Sequence, residues 1–590
     1  MILAVDVGGT HADGVLLRQA AGGENEMIKL AGSVKIAVED FGLENAVLQV
    51  IERLLHRADS AAAGGEKPLE RAVISTTLTT NALAQNRADP VGLILIPGPG
   101  LDIRYSRFGD ENFILSGYVD HRGRIVREPS REEVISAGRE LAGSGLENVA
   151  VVGKFSVRNP ELELKVKKWL QESESDFRRV VTGHELSASL NFRRRAATAC
   201  CHAAVSRLHE EFREDIRAVL SEHLQSDELY FLKSDGGTMR GKKGEAGAVR
   251  SVKSGPAASI MGAMVLTELK DSGFIIDIGG TTTDISFFLN GDPLLEPRGM
   301  KIEWWDTLIR GLFSRSVPAG GDSRLQTGEE AGLIEVGPGR RGQPAALGGP
   351  APTPTDALLL LEELEEPEEA EGSSISRDYD LSRAESALED LGNVTGLTAR
   401  ELARKSLEEL TEIIADACRN IRSELQGSPV HTIAELLEDV SPDPQVIIGM
   451  GGPAASIIPR VAERLDLDFE ILPRARVANA IGAGCARPTL RTTVRVDTER
   501  EQLTVPQLGI SRSFRRGESF DRERAEELAL ELTEERYDGK DAGVEIVSSE
   551  VFPTVSGFRT TGEIMEITAQ IKPGLLYKFS PGEVDFHAQD

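Results

Sequence analysis

The sequence predicts an α/β protein of two related lobes around a ligand cleft, followed by a small α+β appendage. Three observations carry that expectation. The stretch ILAVDVGGTHADGVLL, residues 2–17, returns as FIIDIGGTTTDISFFL at 274–289, with Asp6, Gly8, Gly9, Thr10 and Asp13 falling on Asp277, Gly279, Gly280, Thr281 and Asp284. Apolar runs rich in β-branched residues alternate with segments of helical spacing along most of the chain. A length of 590 residues with 40% apolar content allows three or four domain-sized cores.

Each copy of the repeat reads as strand, glycine turn, strand, because a second β-type run follows the glycines directly (Val15 to Leu17; Ile285 to Leu289). A dinucleotide turn or a P-loop runs from its glycines into a helix, and neither copy shows a helical period there. Glycines at a hairpin tip let successive N–H groups point at one spot, where an anion fits. Thr10, Thr281 and Thr282 add hydroxyl donors. Asp6 and Asp277, at the strand ends, would repel a phosphate unless a cation lay between, most simply hydrated Mg2+. Asp13 and Asp284 close the motif, and the four carboxylates are the expected catalytic set, with Asp6 and Asp277 the metal ligands. One Gly-Gly-Thr hairpin alone would be only a tight turn; two copies, each opening half of the chain, point to a nucleotide.

The first lobe is expected over 1–185. EDFGLENAVLQVIERLLHRA (39–58) has helical spacing, and RAVISTTLTTNALAQNR (71–87) reads as strand, polar turn and helix. VGLILI and VAVVGKF are the next strands. A helix opens at Ser130 with Glu133 completing a capping box, and another at NPELELKVKKWLQE with Asn159 as N-cap. The second lobe, 186–490, holds a long helical stretch from 190, the strand in ELYFLKSDGGTM, the second hairpin, an acidic segment at 362–378 read as a solvated loop, and helices from about 381 to 441. QVIIGMGGPAASIIPRVAERL then gives strand, glycine turn and helix, with Gly449, Gly451 and Gly452 either lying against a base or ribose or forming an ordinary strand-to-helix turn. ANAIGAG is a small-residue helix suited to close packing. Residues 491–590 form the appendage.

A net charge of −28 excludes nucleic acid and anionic membrane surfaces as partners. No apolar run reaches the length of a membrane span, and the N-terminus carries an Asp and a glycine turn where a signal peptide would be apolar, so a cytoplasmic protein is expected. Four cysteines, two of them adjacent, fit neither a disulfide framework nor a metal pattern and are expected as buried thiols.

Taken together, two hairpins and a late glycine turn resemble the actin, sugar kinase and heat-shock chaperone ATPase superfamily, in which two related domains close on ATP and Mg2+. The chain more narrowly resembles the ATP-binding A-type subunit of the hydantoinase/oxoprolinase family. AVDVGGTHADGVLL, STTLTTNAL, KFSVRNPELE, FLKSDGGTM, SGPAASIMGA, IIDIGGTTTDISFF, VGPG, GGPAPTPTDALLLL, GMGGPAAS and ANAIGAG follow in that family's order over about 1–490. The resemblance implies ATP-dependent opening of a small cyclic amide or imide, such as a hydantoin or 5-oxoproline, or in sister enzymes carboxylation of a ketone, with a separate B-type subunit as partner. His11 and Ala12 stand where the family has Phe-Thr, and VGPGRRGQPAALGG lacks its Ser-Ala-Gly and Pro-Gly-Pro patterns.

Thr76, Thr77 and Asn81 line the substrate side of the cleft or cap the following helix. Ser234, Asp235 and Gly236 contact nucleotide, take an interdomain role, or form a plain β-turn. His184, Glu185 and His202 lack metal-ligand spacing. Two rival functions remain at this level: a small-molecule kinase, and a nucleotide-gated binding protein.

Overall fold

Ile2–Val7 pairs antiparallel with His11–Gln19, and Gly273–Ile278 with Thr283–Leu289, so both repeats are hairpins. Their registers coincide. Asp6 faces Asp13 and Asp277 faces Asp284; in each turn the first glycine donates to the carbonyl three residues on, Gly8 to His11 and Gly279 to Thr282, both at 3.0 Å. The structure is a computed structural model that describes residues 1–19, 27–61, 69–224, 228–241, 247–328, 334–361, 379–426, 443–537, 543–556 and 558–579.

Each hairpin lies inside a larger sheet, and the two sheets are wired alike. In the first, Met27–Ala37 pairs antiparallel with the hairpin's second strand, while Arg71–Thr76 and then Leu229–Leu232 add in parallel on the other side. In the second, Ser314–Val317 takes the outer antiparallel place, and Val446–Gly451 and then Asp468–Ile471 add in parallel. Every residue of Ile2–Val7 and Arg71–Thr76 is buried, as befits strands covered on both faces. Helix Leu43–Ala61 packs Val47, Val50, Ile51 and Leu54 on the first sheet. Ala399–Gln426 packs Leu402, Leu410 and Ile414 on the second.

The helices that follow the last parallel strands, Ser254–Leu266 and Ala478–Cys485, cross at the seam between lobes. A Cβ on Gly482 would stand 2.2 Å from the Gly262 nitrogen, and one on Gly262 would stand 2.5 Å from the Ala478 oxygen. Only glycine permits so close an approach. The small-residue helix expected from ANAIGAG is therefore half of the contact that joins the lobes.

The first sheet also takes in Thr238–Arg240 and Lys578–Phe579, so its strands come from both sides of the expected boundary at 185 and from the C-terminal stretch. Between them, Glu111–Ile114, Val91–Ile96, Asn148–Gly153 and Arg179–Thr182 form a separate four-stranded parallel sheet. Arg491–Asp497, Gln502–Val505, Ile510–Ser513, Arg559–Ile571 and Val544–Ser556 form a five-stranded antiparallel sheet carrying helix Arg522–Arg536, which is the expected α+β appendage.

Two local expectations need correction. Ser130 Oγ accepts from the Glu133 amide, but the Glu133 carboxylate turns to the amide and hydroxyl of Ser116 (2.7 and 2.8 Å), so only half of the capping box forms. Pro160, not Asn159, is the N-cap of Glu161–Gln171, and Asn159 Oδ1 takes the Glu161 amide at 3.0 Å. The acidic segment 362–378 and the stretch 427–441 lie outside the described residues. All four cysteines are buried and free. No described helix is long and apolar enough to cross a membrane.

Candidate functional site

The two turns meet tip to tip. A Cβ on Gly280 would stand 3.3 Å from Thr10 Cγ2 across the cleft and 2.6 Å from Asp322 Oδ2 on its own side. Among the described residues the amides of Gly9, Thr10, Gly280 and Thr281 donate to no protein acceptor. Four such N–H groups at facing turns are the raw material of an anion site.

Behind the tips stand the carboxylates. Asp6 is only 5% exposed, and its Oδ1 has no hydrogen-bond partner among the described residues. Burial lifts its pKa to about 7; hydrogen bonds from Ser75 and Asn479 oppose the rise, while the charges of Asp13 and Asp277 add to it. Asp277 Oδ2 accepts from Ser259 Oγ at 2.7 Å and from Asn479 Nδ2 at 3.0 Å. Burial also lifts Asp284 to about 6, opposed by a hydrogen bond from Ser316 and aided by the charge of Asp277. Asp13 pairs with Lys35 at 2.7 Å.

A buried carboxylate oxygen without a donor, among carboxylates that repel one another, fits a cation. Among the described residues no group of three or more His, Cys, Asp and Glu side chains could hold a metal. One or two protein carboxylates with water and phosphate oxygens completing the shell is the habit of Mg2+.

The third glycine turn reaches the same place. Gly451, at φ +96°, runs beside Ile278, and a Cβ there would stand 2.2 Å from the Ile278 oxygen and 2.9 Å from Asp277 Oδ1. Gly452 has open space on its Cβ side, whereas Gly449 is packed against Ile458 and Ile471. By the shared wiring, the counterpart of this turn in the first lobe is Thr76-Thr77: Thr76 runs beside Val7 as Gly451 does beside Ile278. Thr77 N donates to Val7 O at 3.3 Å, next to Gly8. Thr77 is the N-cap of Leu78–Ala84 but makes no side-chain cap hydrogen bond; Thr76 Oγ1 accepts from Leu78 N at 3.1 Å, and Asn81 Nδ2 lies 3.4 Å from Thr77 Oγ1.

Ser234, Asp235 and Gly236 are engaged elsewhere. Ser234 Oγ donates to the Arg250 and Val252 carbonyls (2.8 and 2.7 Å). Asp235 pairs with buried Lys233 at 3.3 Å and accepts from Gly237 N at 3.1 Å, and Lys233 donates to Thr489 O at 3.1 Å. A Cβ on Gly236 would meet Met261 Sδ at 2.9 Å. This turn stitches the first sheet to the lobe seam. His11 Nδ1 lies 3.0 Å from Thr10 Oγ1. His184 is bound to Glu163 at 2.5 Å in a fully buried pair, and burial pulls His202 down to about 3.

Sequence reasoning missed Ser259, Asn479 and Asp322. Each had a faint signal: a hydroxyl in SGPAAS, the one polar residue in ANAIGAG, and an acid after two glycines in PAGGDS.

A model of the hydantoinase/oxoprolinase family matches residues 195–492, and one of that family's N-terminal region matches residues 2–173. The alpha subunit of caprolactamase from Pseudomonas jessenii is 24% identical over 547 residues, covering 87% of this chain and 72% of its own. The gamma subunit of acetophenone carboxylase from Aromatoleum aromaticum is 24% identical over 400 residues, covering 60% and 52%. Among solved structures, nucleotide-free acetone carboxylase superposes with a TM-score of 0.70 at 17% identity, covering 96% of this chain and 87% of that one. The ATP-dependent caprolactamase of P. jessenii superposes at 0.66 and 18%, covering 97% and 87%. At those identities the superpositions establish the α/β fold.

Proposed function

We propose, from the premise that this chain belongs to the hydantoinase/oxoprolinase family, that it is the ATP-binding subunit of a cytoplasmic enzyme that opens a cyclic amide or imide, working with a separate B-type subunit. The observation that carries the reading is the meeting of two like hairpins, Thr10 against Gly280, with Asp6 and Asp277 behind them near enough for the charge of one to raise the pKa of the other. The names of the relatives support it: one is an ATP-dependent caprolactamase, and both curated relatives are subunits.

An unstrained lactam is a poor electrophile, and ATP supplies the phosphoryl group that turns its carbonyl oxygen into a leaving group. Mg2+ held by Asp6 and Asp277 would supply charge neutralisation between carboxylates and phosphates. The chain's own residues do the positioning on which phosphoryl transfer depends. Amides at Gly9, Thr10, Gly280 and Thr281, with the hydroxyls of Thr10, Thr281 and Thr282, bind the phosphates from both sides. Ser259 and Asn479 orient Asp277. Gly451 and Gly452 give the nucleotide a backbone surface beside Asp277. Thr77 and Asn81 face the substrate.

The test is phosphorus NMR of the chain with its partner subunit, ATP and a panel of lactams and hydantoins. Ring-opened product and orthophosphate should form in equal amounts. A persistent substrate phosphoester would sink the reading in favour of a kinase. The relation to a ketone carboxylase subunit supports a second reading, carboxylation, in which turnover of a ketone would require bicarbonate.

A further inference from the structure

We propose that Arg340 is a phosphate-binding residue of the nucleotide site and that Asp322 is the positioning residue that holds it there; the proposal rests on the reading of the hairpins as ATP phosphate turns. The loop 318–323 lies on the second turn. Gly321 N donates to Gly279 O at 2.9 Å, Asp322 N donates to Gly280 O at 2.6 Å, and a Cβ on Gly320 would stand 2.5 Å from Gly279 O. This contact fixes the Asp322 carboxylate, 7% exposed, beside Gly280 and on the side where Thr10 crosses from the other lobe.

A bare carboxylate there would repel the anion that the turn is shaped to receive. The chain answers with a cation. Arg324 N donates to Gly339 O at 3.1 Å and Gly337 N to Arg324 O at 2.9 Å, so the segment folds back and brings Arg340 opposite Asp322. Arg340 Nη2 lies 3.4 Å from Asp322 Oδ2, its Nε donates to Gly342 O at 2.7 Å, and Thr355 Oγ1 lies 3.2 Å from Asp322 Oδ1. These contacts help to set the plane of the guanidinium, whose side chain is 14% exposed. Guanidinium carries five N–H donors in a fork that suits phosphate as well as carboxylate.

Isothermal titration of the full chain with Mg·ATP, Mg·ADP and adenosine tests this. If the unaltered chain binds no Mg·ATP, the nucleotide reading itself fails; the remaining outcomes bear on Arg340 alone. Arg340→Gln should weaken Mg·ATP and Mg·ADP tenfold or more while adenosine affinity changes less than twofold, and Arg340→Lys should recover part of the loss. Asp322→Asn should weaken ATP several-fold with adenosine unchanged; tighter ATP binding would overturn its positioning role. The Arg340→Gln/Asp322→Asn double variant should stay weak, because the phosphate contact is gone. Return of full ATP affinity in that double variant would overturn the proposal, since Arg340 would then serve only to neutralise Asp322. Should Arg340→Gln not fold, phenylglyoxal labelling of the unaltered chain decides: Mg·ATP, but not adenosine, should slow modification of Arg340 several-fold, and equal rates would refute the contact.

Discussion

The two hairpins share turn, register and place in the sheet, yet differ in what stands beside them. Asp13 lies opposite Lys35 and pairs with it, while Asp284 occupies the same register position opposite Ser316 and is lifted to about 6 by burial. A Cβ on Gly9 would meet nothing within 4 Å, whereas Gly280 is roofed by Asp322. Asp6 keeps a buried oxygen without a donor; Asp277 has both Ser259 and Asn479. A duplicated motif thus yields two unequal half-sites, the first open with Lys35 beside its outer carboxylate, the second covered and rich in neutral donors. The repeat sets the backbone, and residues from elsewhere set the electrostatics.

The largest expected effect breaks the second half-site. Asp277→Asn should lower ATP turnover by about 10²-fold or more, the usual consequence of losing a preorganised electrostatic contact, while thermal unfolding stays close to that of the parent. Near-normal turnover in a folded variant would remove Asp277 from the reaction. Next comes the difference in cover. Gly280→Ala drives a Cβ to 2.6 Å from Asp322 Oδ2 and should cost about 1–3 kcal/mol in urea unfolding. Gly9→Ala, in open space, should stay within about 0.5 kcal/mol. Equal costs would mean that the two turns are covered alike.

The buried Asp6 carboxylate of the first half-site predicts a pH dependence. Asp6 titrates at 3.8 when unfolded and at about 7 when folded, so its contribution is fully present below 3.8 and is lost as pH rises through about 7. Asp284 acts likewise up to about 6. The melting temperature of Asp6→Asn should therefore gain on that of the ligand-free parent steadily from pH 4 to 7, and a constant difference would refute the raised pKa. Mg·ATP should reverse the loss in the parent at neutral pH, adding about 2.7 kcal/mol at a hundredfold excess over Kd. The smallest effect concerns the outer strands. The Lys35 side chain is 39% exposed, so Lys35→Met should cost under about 1 kcal/mol. Ser316→Lys, which copies the first half-site into the second, should shift the Asp284 titration downwards, observable by carboxyl-carbon NMR.

How much of this was legible in the sequence follows from the range of the forces involved. A hairpin is local: two glycines flanked by β-branched runs fix the turn and, with it, the facing of Asp6 with Asp13 and of Asp277 with Asp284. Hence the repeat, the α/β class and the α+β appendage could be read residue by residue. Membership of the first sheet could not, because the sequence between Arg71–Thr76 and its partner Leu229–Leu232 holds the strands of a separate sheet. The seam was half legible, as a run of small residues without its partner helix. What the sequence by itself determined is therefore the pair of turns, since each is closed by hydrogen bonds between near neighbours. The tertiary structure alone decided their inequality: Asn479 reaches Asp277 across 202 residues because Gly262 and Gly482 let two helices touch, and Asp322 meets Gly280 because a distant loop donates to that turn's carbonyls.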